Sequence, residues 1–264
     1  MTERKEVRMI ETDDYQTIYE QVKNSEKRLL FFDYDGTLMP LAKFPSLSAP
    51  NEDVIRILSV LTSDKKNNVV IISGRDSATL GKWLGSLNLI IVAEHGALIK
   101  YPGRKWEELA DEGGDWKKEI IPAMEHFSNK CEGSFIEEKK YSLAWHYRNA
   151  PNETGNYYSR ALVRTLSGII DNTPLQVLDG NKIIEVRFTN INKGTIAKRI
   201  VTEVHPDFVL ALGDDRTDED MFKALEPGSI TIKIGPGDTA ATYTLSVQEE
   251  VTKFLKNLFI KKAN

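Results

Sequence analysis

The chain is 264 residues long, which suits one or two domains, and its 41% hydrophobic and 28% charged residues mark a globular chain, not a disordered or fibrous one. Its 35 basic and 39 acidic side chains give a formal net charge of −4 with no basic stripe, so nucleic acid is not an expected partner. No apolar run approaches the ~20 residues of a membrane-spanning helix, the opening MTERKEVRMIETDDY is too charged for a secretory signal, and the lone cysteine, Cys131, cannot form an internal disulfide, so the expectation is no membrane and a cytoplasmic setting.

In chain order, LLFF (29–32) is the first strand-length apolar run. A helical pattern follows from Pro50 to Thr62, with Val54, Ile55, Leu58 and Leu61 at helical spacing and Pro50 suited to a first turn. VVIIS (69–73) and LIIVA (89–93) flank a second helix candidate, Asp76 to Leu87. From about Lys105 to Val186 the pattern changes. Helical stretches near 115–129 and 153–170 each precede what reads as an antiparallel strand pair, 135–148 and 174–188, with a turn expected at Asp179-Gly180-Asn181. The earlier alternation then resumes with a helix from Lys193 to Val204, FVLAL (208–212), ITIKI (230–234) and an amphipathic tail over 247–260. Nearly continuous Val/Ile/Leu runs suit strands buried on both faces. Their alternation with helices argues for a parallel sheet with helices on both faces, built from residues 1–104 and 187–264, with an α+β domain inserted at 105–186. Whether residues 1–25 dock on that core stays open.

Polar groups gather where these strands end, and in an open α/β sheet the carboxyl ends of the strands are where ligands bind. The first run leads straight into Asp33 and Asp35, with Gly36 and Thr37 allowing a tight turn. The second gives Ser73, Gly74 and Arg75, the third Glu94, His95 and Gly96, and the fourth Asp214, Asp215 and, one turn on, Asp218. The fifth ends at Gly235-Pro236-Gly237, read as a turn without chemistry of its own. Acids gathered this way repel unless a cation compensates. Mg²⁺ suits an all-oxygen donor set with positions left for phosphate or water, which is also what phosphoryl transfer requires. Lys193 offers a second fixed positive charge, and Ser73 a donor to phosphate oxygens. Asp214, Asp215 and Asp218 equally suit capping of the helix that follows them.

At these residues the chain resembles the haloacid dehalogenase superfamily of phosphatases. Asp33-x-Asp35-Gly36-Thr37, Ser73, Lys193 and Gly213-Asp214-Asp215-x-Thr217-Asp218 stand in that superfamily's order, and the inserted middle matches its cap. Within it the chain is most similar to the trehalose-6-phosphate phosphatase family, on SGRD (73–76), AEHGA (93–97), IEEKKYSLAWHYR (136–148), EVRFTNINKG (185–194) and LGDDRTDEDMF (212–222). The resemblance implies a Rossmann-like core and hydrolysis of trehalose 6-phosphate. Asp33 would be the nucleophile that forms an aspartyl-phosphate, and Asp35 the general acid, then the base. It further implies Mg²⁺ held by Asp33, the backbone carbonyl of Asp35, and Asp214, with Asp218 close behind, and a phosphoryl group bound by Ser73 and Lys193. Glu137, Lys139, Arg148 and Glu185 match the family's sugar-contacting positions, His95 is a candidate for lining the cleft, and the partner the resemblance implies is a trehalose-phosphate synthase in functional association. A signalling receiver domain shares the Asp, Ser/Thr and Lys pattern, but it is a single domain of about half this length and lacks the second carboxylate.

Overall fold

The computed structural model describes residues 8–42, 47–109 and 115–260, which fold as two compact units. The first takes the chain up to Glu107 and from Asn192 onward, and the second takes Glu108–Ile191. Through the first unit run β1 (Arg8–Met9), α1 (Thr12–Asn24), β2 (Arg28–Phe32), α2 (Glu52–Ser63), β3 (Asn67–Ile72), α3 (Ser77–Leu84), β4 (Ile90–Ala93), β5 (Leu98–Lys100) and β6 (Trp106–Glu108). The second unit holds α4 (Trp116–Ser128), β7 (Phe135–Glu138), β8 (Ser142–His146), α5 (Asn152–Ile169), β9 (Leu175–Gly180) and β10 (Ile183–Phe188). The first unit then resumes with α6 (Lys193–Val204), β11 (Phe208–Gly213), α7 (Arg216–Ala224), β12 (Ile230–Ile234), β13 (Tyr243–Leu245) and α8 (Glu249–Leu255), whose last turn continues as a π-helical segment, Lys256–Ile260.

The nine-stranded sheet has the order β1-β13-β12-β11-β2-β3-β4-β5-β6, and β1 through β4 in that order are joined by parallel pairings. All five residues of β2 and all five of β12 are buried, as strands covered on both faces must be. After β2 the chain moves outward through β3 and β4. It returns to the other side of β2 at β11, and moves outward again through β12 and β13. The direction therefore reverses between β2 and β11, the place where an open α/β sheet opens a crevice at its carboxyl edge. Helix starts are set by local chemistry. Asn51 accepts from the Val54 amide at 2.9 Å, Asp76 from Thr79 at 2.8 Å and Asn192 from Thr195 at 2.8 Å, each satisfying a donor that the first turn leaves open.

The second unit is a four-stranded antiparallel sheet, β7-β8-β10-β9, with α4 and α5 on one face. Leu143, Trp145, Ile184 and Val186 alternate onto that face and pack with Ile120 and Met124 of α4 and Leu162 and Leu166 of α5. The two expected strand pairs are thus halves of one sheet. The expected turn at Asp179-Gly180-Asn181 is corrected to Asn181-Lys182. Gly180 still pairs with Ile183, and Lys182 takes the left-handed conformation (φ 64°) that closes the hairpin.

Residues 8–25 are part of the core. β1 pairs in parallel with β13, and α1 buries Ile18 and Val22, while Tyr15 meets Phe254 edge-on at 6.2 Å between ring centroids. Ile18 is fully buried, so Ile18→Ala should lower the unfolding free energy by about 2–4 kcal/mol. Urea unfolding followed by circular dichroism checks this, and an unchanged midpoint would mean that α1 is not anchored there.

Candidate active site

The register of β2 against β11 places the acids. Phe32 stands opposite Leu212, and the Asp33 amide donates to the Leu212 carbonyl at 3.0 Å. Asp33 and Asp214 therefore leave adjacent strands side by side, 181 positions apart in the chain. The turn after Asp33 is tight: the Gly36 amide donates to the Met39 carbonyl at 2.6 Å and Met39 donates back to Tyr34 at 2.9 Å. Gly36 has φ 85°, and a Cβ there would lie 2.1 Å from Asp214 Oδ2, so glycine is required both for the turn and for the close approach of Asp214. The Gln248 side chain, at the start of α8, donates to the carbonyls of Thr37 at 3.0 Å and Leu38 at 2.9 Å and holds the turn from outside.

Asp33, Asp214 and Asp218 each bring one carboxylate oxygen within 4.8 Å of the others. Lys193, 1% exposed, donates to Asp33 Oδ1 at 2.6 Å and to Asp218 Oδ1 at 2.8 Å. Asp218 also has a capping role, because its Oδ2 accepts the amides of Asp214 at 3.0 Å and Asp215 at 3.1 Å. Asp215 closes the reciprocal box by accepting the amides of Thr217 at 2.8 Å and Asp218 at 3.2 Å. Capping and clustering thus coexist: Asp215 starts α7, and Asp218 caps while also facing Lys193. Thr37 Oγ1 donates to Asp214 Oδ1 at 3.3 Å.

One lysine does not balance these acids. Burial pushes the Asp33 carboxyl well above its ordinary range, and Asp214 and Asp215 add to this against the opposing pull of Lys193. Burial and the charges of Asp215 and Asp218 push Asp214 up to about 7. Asp218 is likewise raised, first by burial. For Lys193 burial acts to lower the pKa, but Asp218, Asp33 and Asp215 together outweigh it and hold the ammonium well above its ordinary value. Asp215 stays well below the usual carboxylate range, because Lys193 and the hydrogen bonds of its cap outweigh burial. An oxygen-only donor set with an excess of negative charge is what a hard divalent cation fits.

Asp35 points elsewhere. Its two oxygens accept from Arg75, Oδ2 from Nε and Oδ1 from Nη2, both at 2.6 Å, and its carboxylate is outside the three-acid group. Ser73 is buried at the end of β3, where its Oγ accepts the Arg75 amide at 3.2 Å, leaving the hydroxyl proton to donate elsewhere. The His95 amide donates to the Ser73 carbonyl at 2.9 Å, and the imidazole lies against Gly74, where a Cβ would meet Nε2 at 2.3 Å.

In the second unit, Glu137 and Glu185 flank Ala144 across the sheet, on the face away from α4 and α5. His146 Nε2 is 2.8 Å from Glu137 Oε2 and Lys139 Nζ is 3.7 Å from it. Although burial acts to raise the Glu137 carboxyl, His146 and Lys139 hold it below its ordinary range. Arg148 donates to the Asn181 carbonyl at 3.1 Å. His146 shares this polar face with Glu137 and stacks on Phe135 at 4.7 Å between centroids.

Lys233 was missed. Its buried ammonium donates to the Asp214 backbone carbonyl, and to Ile234 at 2.9 Å, so the fifth run braces the backbone beside the acid cluster. A lysine inside the apolar run ITIKI was the available signal.

Residues 31–250 match the family model described as Trehalose-phosphatase. The chain belongs to the trehalose-phosphatase family. It is 38% identical over 234 residues to the bifunctional trehalose-6-phosphate synthase/phosphatase of Thermoproteus tenax, covering 89% of this chain and 32% of that protein. The solved C-terminal domain of the C. albicans trehalose-6-phosphate phosphatase superposes with a TM-score of 0.90 at 35% identity, over 96% of this chain and 98% of that one. A haloacid dehalogenase-like hydrolase from B. subtilis shares the fold alone, with a TM-score of 0.60 at 14% identity over 87% of this chain and 99% of that one. The core is thus the α/β fold of those hydrolases. The chain spans about a third or less of the curated relatives it matches first, 28%, 32% and 26% of their lengths. Among the described residues, no helix of this family member is long and apolar enough to cross a membrane.

Lys193→Met should cost about 3–5 kcal/mol at pH 7.5, the scale for leaving buried partners uncompensated. The loss should be smaller at pH 5 than at pH 7.5, because added protons on the raised Asp33 and Asp218 carboxyls remove charge that the ammonium balances. Denaturant unfolding at both pH values measures it, and equal losses at both would contradict the charge balance described.

Proposed function

We propose that this chain hydrolyses trehalose 6-phosphate to trehalose and inorganic phosphate, through a phosphoryl group carried by Asp33. The observation that carries the reading is the buried Asp33, hydrogen-bonded to Lys193 inside a group of three carboxylates at the strand-order reversal, in a member of this family. The donor set fits Mg²⁺, with Asp33 and Asp214 as ligands, Asp218 behind them and the Asp35 backbone carbonyl completing the protein's share. When bound, the ion supplies charge that keeps the acids ionised and offsets the charge of the phosphoryl oxygens.

The side chains divide the remaining work. An Asp33 carboxylate oxygen attacks phosphorus, and the bond from phosphorus to the sugar oxygen breaks. Asp35 gives its proton to that departing oxygen, so trehalose leaves as the alcohol. Water then attacks the same phosphorus and returns a proton to Asp35. The bond to Asp33 breaks, freeing phosphate and restoring both acids. Two of the three Lys193 ammonium hydrogens are engaged by Asp33 and Asp218, leaving one for a phosphoryl oxygen, alongside the Ser73 hydroxyl. Glu137 and Glu185 accept from sugar hydroxyls, while Lys139 and Arg148 donate to them. His95 serves by bracing Ser73 through its amide. The setting proposed is the cytosol, where a single buried, unbridged thiol such as Cys131 is stable. A synthase that makes trehalose 6-phosphate is the partner class, since the T. tenax relative bears both names.

Phosphate release from trehalose 6-phosphate should exceed that from glucose 6-phosphate and sucrose 6-phosphate, vanish in EDTA, and fall about a thousandfold or more in Asp33→Asn. A colorimetric phosphate assay decides it. Preference for another sugar phosphate would overturn the substrate, and full activity in Asp33→Asn the nucleophile.

Millimolar Mg²⁺ should raise the melting temperature by mass action, and EDTA should reverse the rise. The gain should be larger at pH 7.5 than at pH 5.5, because protons on Asp214, pushed up to about 7, compete with the ion. Scanning fluorimetry reads both, and a rise that survives in Asp214→Asn would place the ion elsewhere.

A further inference from the structure

Arg75 is held more firmly than the carboxylate it grips. Its guanidinium carbon lies 4.8 Å from the Trp83 ring centroid and 5.5 Å from that of Tyr34, and those two rings stack at 5.6 Å. Its side chain is 10% exposed, against 29% for Asp35. Its backbone is fixed as well: the amide donates to Ser73 Oγ at 3.2 Å and the carbonyl accepts from Glu94 at 2.9 Å. Tyr34 in turn is anchored through its hydroxyl to the Ser48 carbonyl at 2.7 Å. Asp35 sits in a turn, with one isolated bridge to Met39, and nothing in regular structure fixes its side-chain direction. Both of its oxygens are oriented by the planar fork of Arg75, at 2.6 Å each.

We infer that Arg75 is a positioning residue for the leaving-group step, an aromatic-seated fork that aims the Asp35 carboxyl at the departing sugar oxygen. The inference rests on the proposed function, in which Asp35 is the acid. A lysine cannot replace the fork, because a point charge fixes one oxygen and leaves rotation free. A proton on one Asp35 oxygen weakens that oxygen as an acceptor, so one bond of the fork loosens. The other keeps the direction while the two rings hold the guanidinium in place. The proton then passes from the Asp35 carboxyl to the sugar oxygen as the bond from phosphorus to that oxygen breaks, and the fork re-forms on the carboxylate. Arg75 itself exchanges no proton and touches no reacting atom in this scheme.

The test separates a leaving group that needs a proton from one that does not. With enzyme in excess, rapid quench times the first release of trehalose from trehalose 6-phosphate, and of p-nitrophenolate from p-nitrophenyl phosphate, for the parent, Arg75→Ala, Arg75→Lys and Asp35→Asn. Misplacing a catalytic group costs on the order of 100-fold, so Arg75→Ala and Arg75→Lys should slow trehalose release by about 30- to 100-fold while phenolate release changes less than about threefold. The phenolate signal also reports that each variant is folded and loaded. Equal slowing of both releases would make Arg75 a structural or phosphate-binding residue and overturn the inference, as would no slowing of either, or full recovery in Arg75→Lys. If Asp35→Asn itself slows both releases equally, the assignment of Asp35 as acid fails, whatever Arg75 does.

Discussion

Everything at the carboxyl edge of this sheet depends on a charge imbalance fixed by register. β2 and β11 lie side by side, so Asp33 and Asp214 leave the sheet together, and the cap that starts α7 is a further acid, Asp215. Lys193 reaches in from the first turn of α6 and meets two of the acids, but it cannot neutralise four. The raised carboxyl groups of Asp33, Asp214 and Asp218 express what remains. Such an arrangement is costly for folding, and under the proposed function a cation and a phosphoryl group offset that cost. The same excess of negative charge that penalises the cluster by itself is what suits it to a hard ion.

The sequence made the core legible for a specific reason. Parallel strands buried on both faces read as apolar runs, and each run ended in the polar residue that the sheet then presents. Asp33, Ser73 and Asp214 could therefore be placed without coordinates. The short pieces at the sheet's rims, β1, β5, β6 and β13, have two or three residues each and carry no period to detect. The hairpin turn was misplaced because Asp179-Gly180 resembles turn chemistry, while cross-strand pairing carries the strand through both residues and leaves Lys182 to take the positive φ. The pairing of Asp35 with Arg75 was not legible either. Forty residues separate them, and no local pattern distinguishes a carboxylate aimed at a metal from one held by a guanidinium. Lys233 was passed over because an apolar run invites reading as core, although a lone cation in a strand buried on both faces demands a partner.

Under the proposed function, recognition and chemistry draw on different kinds of secondary structure. The reacting groups sit at strand ends and helix starts, where backbone direction is fixed by the sheet. The polar groups of the second unit stand instead on the flat of an antiparallel sheet, whose period of two separates Glu137, His146 and Glu185 from the packed face of Leu143, Trp145, Ile184 and Val186. A sheet face can exchange side chains without disturbing the core behind it, so under that proposal selectivity for a sugar can change while the chemistry stays fixed. The Glu137 carboxylate is held ionised by His146 and Lys139, which suits an acceptor for hydroxyl groups better than a proton carrier.

The remaining constraint is strain behind Ser73. Glu94, His95 and Gly96 take φ values of 46°, 57° and 120° in succession, a conformation that costs on the order of 1–3 kcal/mol at each non-glycine position. It persists because the two strained amides are both used: Glu94 donates to the Arg75 carbonyl and His95 to the Ser73 carbonyl, each at 2.9 Å. An unstrained strand exit from β4 would continue past β3 and leave those carbonyls to water. By turning back at once, the chain ties the end of β4 to the segment that carries Ser73 and Arg75, and so to the residue that grips Asp35. The strained turn thus stiffens the Ser73–Arg75 segment from behind, where under the proposed function a donor to phosphate and the orientation of the second carboxylate are set.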